Sequence, residues 1–151
     1  MTQTETGLKL EFTRTIRAKR ERVFEAWIKP EVVERWFGPG SMMVPAAKID
    51  ARVGGAYKID MRGSMSEGAP AQEMGVQGVY RRIVPNELLE FTWCGSWEPN
   101  ETSLVTVLLK DVEGGTELTL RHEQFLTERS REGHEKGWLG GLANLQKTLE
   151  S

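Results

Sequence analysis

The residues that could do chemistry in this chain are few. They amount to two histidines, His122 and His134, one cysteine, Cys94, and scattered acids. His122 closes an alternating run in which Leu118 and Leu120 share its side, so it points where they point, toward an enclosed space. It has two readings. One is a polar anchor for a ligand, or a general base. The other is a histidine hydrogen-bonded to backbone at a sheet edge, its polar atoms simply satisfied. Arg14, Tyr80 and Thr106 also fall on inward-looking faces, and Arg14 among apolar neighbours asks for a partner or for water. A few convergent polar groups in an apolar cavity form the pattern of a small-molecule site. Catalytic motifs are missing: the chain has no G-x-S-x-G, no H-E-x-x-H and no cysteine–histidine pair at a helpful spacing. His134 is followed by Glu135, but position 138 is tryptophan where a second ligand would stand, so neither a metal nor a cofactor is expected. Cys94 alternates away from Trp93 toward the outer face and reads as inert. Asp50 and Arg52 read as an ion pair or a turn-stabilising set, and Gly54-Gly55 as turn chemistry, since no helix follows to make a phosphate cradle.

The aromatic residues say more. Five tryptophans exceed what a minimal core of this size needs. Trp27 fits a buried helical stripe. Trp93 lies on the Leu89–Phe91 face of a strand and Trp138 on the apolar stripe of a helix, which makes both core or cavity wall. Tyr57 shares a strand face with Ile59 and Met61. Trp36, Phe37 and Trp97 adjoin loops, where aromatic side chains can cover a cavity mouth. The expected cavity wall is therefore Trp36, Phe37, Tyr57, Tyr80, Trp93, Trp97 and Trp138, with His122 and Arg14 as its polar members.

The elements that must hold these residues follow from periodicity. The stretch 8–17 alternates as a half-buried strand. Val23, Phe24, Trp27 and Ile28 then mark a helix over 20–28, and Val32, Val33, Trp36 and Phe37 a second over 31–37, separated by Pro30 and closed by Gly38-Pro39-Gly40. Strands are predicted over 43–53, 56–62, 72–84, 87–95, 102–112 and 116–123, joined by turns such as Glu113-Gly114-Gly115. The last stretch, 127–151, places Trp138, Leu142, Leu145 and Leu149 on one helical stripe behind a Thr127 N-cap. Four glycines interrupt it, each worth about 1 kcal/mol against the helix relative to alanine. Gly133, Gly137 and Gly140 fall on one face beside the stripe, which leaves room for a neighbouring backbone or a ligand; the alternative is two helices meeting near Gly140. Hairpin-linked strands with one apolar face must cover that face, and the only long apolar helix is the last. The expected fold is α+β: a curved antiparallel sheet of seven strands wrapped around a C-terminal helix, in one domain over 1–151.

Composition sets outer bounds. With 38% hydrophobic and 28% charged residues the chain reads as soluble and globular, and a net charge of −2 gives no reason to expect nucleic acid or an anionic membrane as partner. No apolar run approaches the roughly 20 residues of a membrane span. The opening MTQTETG lacks a signal-peptide layout, and a single cysteine excludes an internal disulfide, so a cytoplasmic location is the default. An exposed edge strand leaves a homodimer open.

The motif FEAWIKPEVVERWFGPG (24–40) resembles a signature of the activator of heat-shock-protein-90 ATPase homologue family. DARVGGAYKIDMRG (50–63), GVYRRIVPNELLEFTW (78–93), GGTELTLRHEQF (114–125) and HEKGWLGGLANL (134–145) are similar to further motifs of that family, in the same order. The resemblance implies a START-like helix-grip fold with a cavity between sheet and helix. In the eukaryotic activator this fold follows a separate chaperone-binding domain. Here the first strand begins near Leu8, so no such domain is expected. Three functions are consistent with this: binding of a small hydrophobic or amphipathic molecule, a cyclase- or hydrolase-like enzyme using His122, Tyr80 or Arg14, and a chaperone-interacting domain. Fold membership constrains function weakly, and binding is the first expectation.

Overall fold

The computed structural model describes residues 8–38, 42–64 and 68–151. The order is β1 (Lys9–Ile16), α1 (Arg20–Ile28), α2 (Pro30–Trp36), β2 (Met43–Ile49), β3 (Ala56–Gly63), β4 (Gln72–Val84), β5 (Leu88–Gly95), β6 (Ser103–Val112), β7 (Gly115–Glu123) and α3 (Glu128–Glu150). The strands make one seven-stranded sheet, β1-β7-β6-β5-β4-β3-β2, every neighbour antiparallel. β2 to β7 therefore meander in chain order and β1 pairs beside β7. This is the α+β helix-grip arrangement expected from the sequence.

Pro30 opens α2 at its first turn, where a missing N–H removes no helical bond. The two short helices are tied together by the Trp36 indole, whose Nε1–H donates to the Ala26 carbonyl at 2.8 Å. α2 stops at Trp36 because Phe37 turns extended; Pro39 and Gly40 of the expected breaker lie outside the described residues, as do residues 1–7. β2 is shorter than its alternation suggested. It ends at Ile49, and Asp50 and Arg52 leave the ladder for a turn in which Arg52 Nε pairs with the Asp50 carboxylate at 2.9 Å.

α3 runs unbroken for 23 residues through all four glycines, so the two-helix alternative does not occur. Thr127 caps it, its hydroxyl accepting the Ser130 N–H at 3.0 Å. Trp138, Leu142, Leu145 and Leu149 are buried against the sheet as one stripe. Polar contacts fix the helix lengthwise: Asn144 Nδ2 donates to the Gly38 carbonyl at 2.9 Å and Gln146 Nε2 to the Thr15 carbonyl at 3.1 Å. Tertiary packing thus offsets what the glycines withhold.

Gly78 faces Tyr57 across the β3–β4 ladder. Tyr57 Oη reaches across the bare glycine and donates to the Thr92 carbonyl at 2.6 Å. The Val79 N–H turns to the Thr92 hydroxyl at 2.9 Å. A Cβ on Gly78 would stand 1.9 Å from Thr92 O, so the crossing requires glycine.

Candidate functional site

A cavity of about 570 Å³ lies between the inner face of the sheet, the end of α2 and the first half of α3. Of the aromatic residues expected to wall it, Trp36, Phe37, Trp93, Trp97 and Trp138 do so. Tyr57 and Tyr80 do not. They point inward and are buried, but they pack with Phe91 in a separate cluster whose ring centroids lie 5.4–5.8 Å apart. Burial raises both phenols well above their usual range, with Tyr80 next in effect on Tyr57 and Asp50 on Tyr80. Neither is poised to exchange a proton near neutrality.

His122 and Arg14 also lie outside the lining. Arg14 is on the inner-face side of edge strand β1, half-buried, with its guanidinium on its neighbour's carbonyl, Thr13 O, at 2.9 Å. Thr106 corrects a sequence expectation. It pairs across the ladder with Glu90 and Arg121 on the outer face, where its hydroxyl lies 3.5 Å from Glu90 Oε2. The inward residues of β6 are Ser103, Val105, Val107 and Leu109; the strand is apolar on both sides, so alternation could not tell the faces apart.

Two tryptophan–histidine pairs hold the cavity wall. Trp138 Nε1–H donates to His122 Nδ1 at 2.9 Å, and Trp93 Nε1–H donates to His134 Nε2 at 3.1 Å. These bonds set the tautomers. With Nδ1 accepting, neutral His122 carries its proton on Nε2 and donates it to Ser103 Oγ at 2.7 Å; the Ser103 hydroxyl passes on to the Trp93 carbonyl at 3.3 Å. His134 carries its proton on Nδ1, which donates to the Ser130 carbonyl at 2.8 Å. The Ser130 hydroxyl donates to Glu101 Oε1 at 2.6 Å, and Glu101 Oε2 accepts the Leu126 N–H at 2.7 Å. Burial lowers both histidine pKa values. His134 adds to the effect on His122; the Ser130 bond and Glu101 partly counter it on His134.

Neither reading of His122 is met as stated: it is fully buried with both ring nitrogens bonded, but its partners are the Ser103 and Trp138 side chains and not backbone, and β7 lies between β1 and β6 and not at a sheet edge. Sequence reasoning weighed His134 only as a metal ligand and passed over it, along with Glu101, Ser103 and Ser130. A signal was present, since Ser130, His134 and Trp138 follow at i, i+4 and i+8 along α3.

The floor of the cavity is glycine. Gly133, Gly137 and Gly141 line it, and a Cβ on any of them would meet no atom within 4 Å. Gly141 takes the place expected for Gly140. At about 100° per residue it lies nearer the Trp138–Leu145 stripe, and the cavity borders that stripe. Exposure falls along the row, Gly133 exposed, Gly137 half-buried and Gly141 buried, so the floor runs inward from a mouth. Trp97, 45% exposed, stands at that mouth with its ring 5.7 Å from the His134 ring. It folds back over Gly95, where a Cβ would lie 2.4 Å from the indole. Gln72, Glu98, Thr127 and Arg129 complete the exposed rim. A second concavity, about 700 Å³, is lined by outward side chains including Lys58, Asp60, Arg62, Glu73 and Gln77, and has no aromatic wall.

Among proteins of curated function none matches this chain. Solved structures with the same fold include protein CV1439 from Chromobacterium violaceum, 25% identical with a TM-score of 0.80, covering 95% of this chain and 98% of that one. The AHSA1 protein from Silicibacter pomeroyi is 23% identical with a TM-score of 0.79, covering 93% and 96%. Protein Ms6760 from Mycobacterium smegmatis is 18% identical with a TM-score of 0.78, covering 99% and 92%. No helix among the described residues is long and apolar enough to cross a membrane. The sequence profile described as Activator of Hsp90 ATPase homolog 1-like protein matches residues 17–150, and the chain belongs to that family.

Proposed function

We propose that the protein binds a small hydrophobic or amphipathic molecule in the cavity between the sheet and α3. The observation that carries the reading is the glycine floor. At Gly78, Gly95 and Gly115 a side chain would collide with protein atoms at 1.9–2.4 Å, so packing explains those glycines. At Gly133, Gly137 and Gly141 nothing in the protein occupies the room that glycine leaves. Each weakens the helix by about 1 kcal/mol relative to alanine, and a guest lying on the bare helix face is what would use the space. The volume, about 570 Å³, is within the usual range for small-molecule sites, and the aromatic lining suits an apolar body.

The enzyme reading has less support. The acceptor nitrogen of each histidine is filled by an indole N–H, which leaves neither free to take a proton from a substrate. We place the protein in the cytoplasm, on its single, unpaired Cys94.

The test is a thermal-shift and tryptophan-fluorescence screen against fatty acids and aromatic compounds, run on the protein and on Gly137→Leu. A true ligand raises the melting temperature of the protein and fails to raise that of the folded Gly137→Leu variant, whose side chain fills the floor. A ligand that stabilises both equally binds elsewhere and ends the proposal.

A further inference from the structure

The cavity has an apolar depth and a charged rim, and the two ends differ in what they can still offer. In the depth, the indole N–H groups of Trp36, Trp93 and Trp138 are all consumed within the protein, by Ala26 O, His134 and His122. Polar recognition is left to the rim. There Arg129 is exposed and makes no ion pair or hydrogen bond among the described residues, whereas its neighbours Glu128 and Arg131 pair with each other. Arg129 also occupies the first turn of α3, the positive end of the helix dipole, where a cation is disfavoured and an acid is the stabilising choice. An unpaired cation at that position opposes helix stability, as the glycine floor behind it does. Both departures face the same cavity. Glu98, the acid on the rim, likewise has no side-chain hydrogen bond or ion pair among the described residues, while Glu101, which accepts the Leu126 N–H and the Ser130 hydroxyl at the start of α3, already meets part of that end's positive potential.

Resting on the binding function proposed above, we infer that the guest is an amphipathic carboxylate. Its apolar body lies on Gly133, Gly137 and Gly141, and its anionic head is held at the rim by Arg129 beside the α3 N-terminus. The dipole adds to the attraction of the guanidinium, so an anion is favoured and a cation repelled, with Glu98 setting a limit on the preference.

Three probes with one naphthalene body separate head from body: 2-naphthoate, 2-naphthalenemethanol and 2-naphthalenemethylamine, titrated by tryptophan fluorescence at pH 7.5. The neutral alcohol reads the cavity alone. The carboxylate is expected to bind about tenfold tighter than the alcohol, and the ammonium weaker than either. Arg129→Gln weakens the carboxylate far more than the alcohol, so that the ratio of their affinities falls toward one; Glu98→Gln increases that ratio. If the alcohol binds but the carboxylate gains nothing over it, or Arg129→Gln weakens all three alike, the head-group assignment is wrong while the cavity stands. If none of the three binds, the cavity reading falls and this inference falls with it.

Discussion

The indole of Trp93 and the imidazole of His134 share one hydrogen bond, Nε1–H to Nε2 at 3.1 Å, that joins the sheet to the helix across the top of the cavity. The bond has only one proton to use, the indole's. It exists while His134 is neutral and is lost when His134 protonates, because two N–H groups would then face each other. His122 and Trp138 stand in the same relation, and the two imidazole rings are 5.0 Å apart.

Stability should therefore fall on mild acidification. Both histidines have folded-state pKa values below the usual range, His122 the more strongly. As pH drops below about 6.5 the unfolded chain takes up protons that the folded chain refuses, so unfolding is favoured. The full contribution is present above that pH, and the loss approaches about 1.4 kcal/mol per pH unit for each histidine so held. Urea midpoints at pH 7.5 and 5.5 measure it. His134→Gln isolates one share and should narrow the difference between the two midpoints; an unchanged difference would contradict the assignment.

His122→Phe keeps an aromatic ring but strands the Trp138 N–H and removes the donor to Ser103 Oγ, whose hydroxyl still reaches the Trp93 carbonyl. A buried group left without its partner costs about 1–3 kcal/mol. The expected loss, read by equilibrium unfolding, is in the upper half of that range, with the fold retained by circular dichroism. A neutral substitution would show that water replaces the imidazole.

The glycines divide into two classes with opposite outcomes. Gly137→Ala should stabilise the apo protein by about 0.5–1 kcal/mol, since the new methyl meets nothing and the helix gains propensity. Gly78→Ala should destabilise it by about 3 kcal/mol or more, because the methyl would press on Thr92 O and displace Tyr57. Melting temperatures of the two variants, side by side, check both signs.

Glu101→Ala removes the acceptor for the Leu126 N–H and the Ser130 hydroxyl at the start of α3. A loss of about 2 kcal/mol is expected, since charge-assisted bonds are at stake. Hydrogen exchange should show the loosening concentrated in the first turns of α3, whereas uniform exchange along the helix would show that Glu101 does not act as its anchor.

The fold was legible in the sequence because period and punctuation agreed. Alternation set β4 at Gln72–Val84, the stripe of Val23, Phe24 and Trp27 set α1, and Pro30 marked the start of α2. Ambiguity remained where one signal was missing. β6 is apolar on both faces, and Thr106 was assigned to the wrong one. The glycine face of α3 was recognised but rotated by one residue, since the direction of the cavity depends on what the helix packs against. Trp36, Phe37, Trp93, Trp97 and Trp138 line the cavity, and their neighbours in sequence predict their direction. The polar network behind them is not predicted in that way. Glu101, Ser103, His122, Ser130 and His134 come from a loop, two strands and a helix, and only the folded chain brings them within hydrogen-bond distance.

On the binding function proposed above, with the indole hydrogens of Trp36, Trp93 and Trp138 already committed, the cavity wall can judge a visitor only by its outline. Chemical identity has to be checked at the threshold, by the few side chains around Trp97. Relatives with this scaffold could then change what they accept by altering that threshold alone, while the tryptophan–histidine bracing behind it stays as it is.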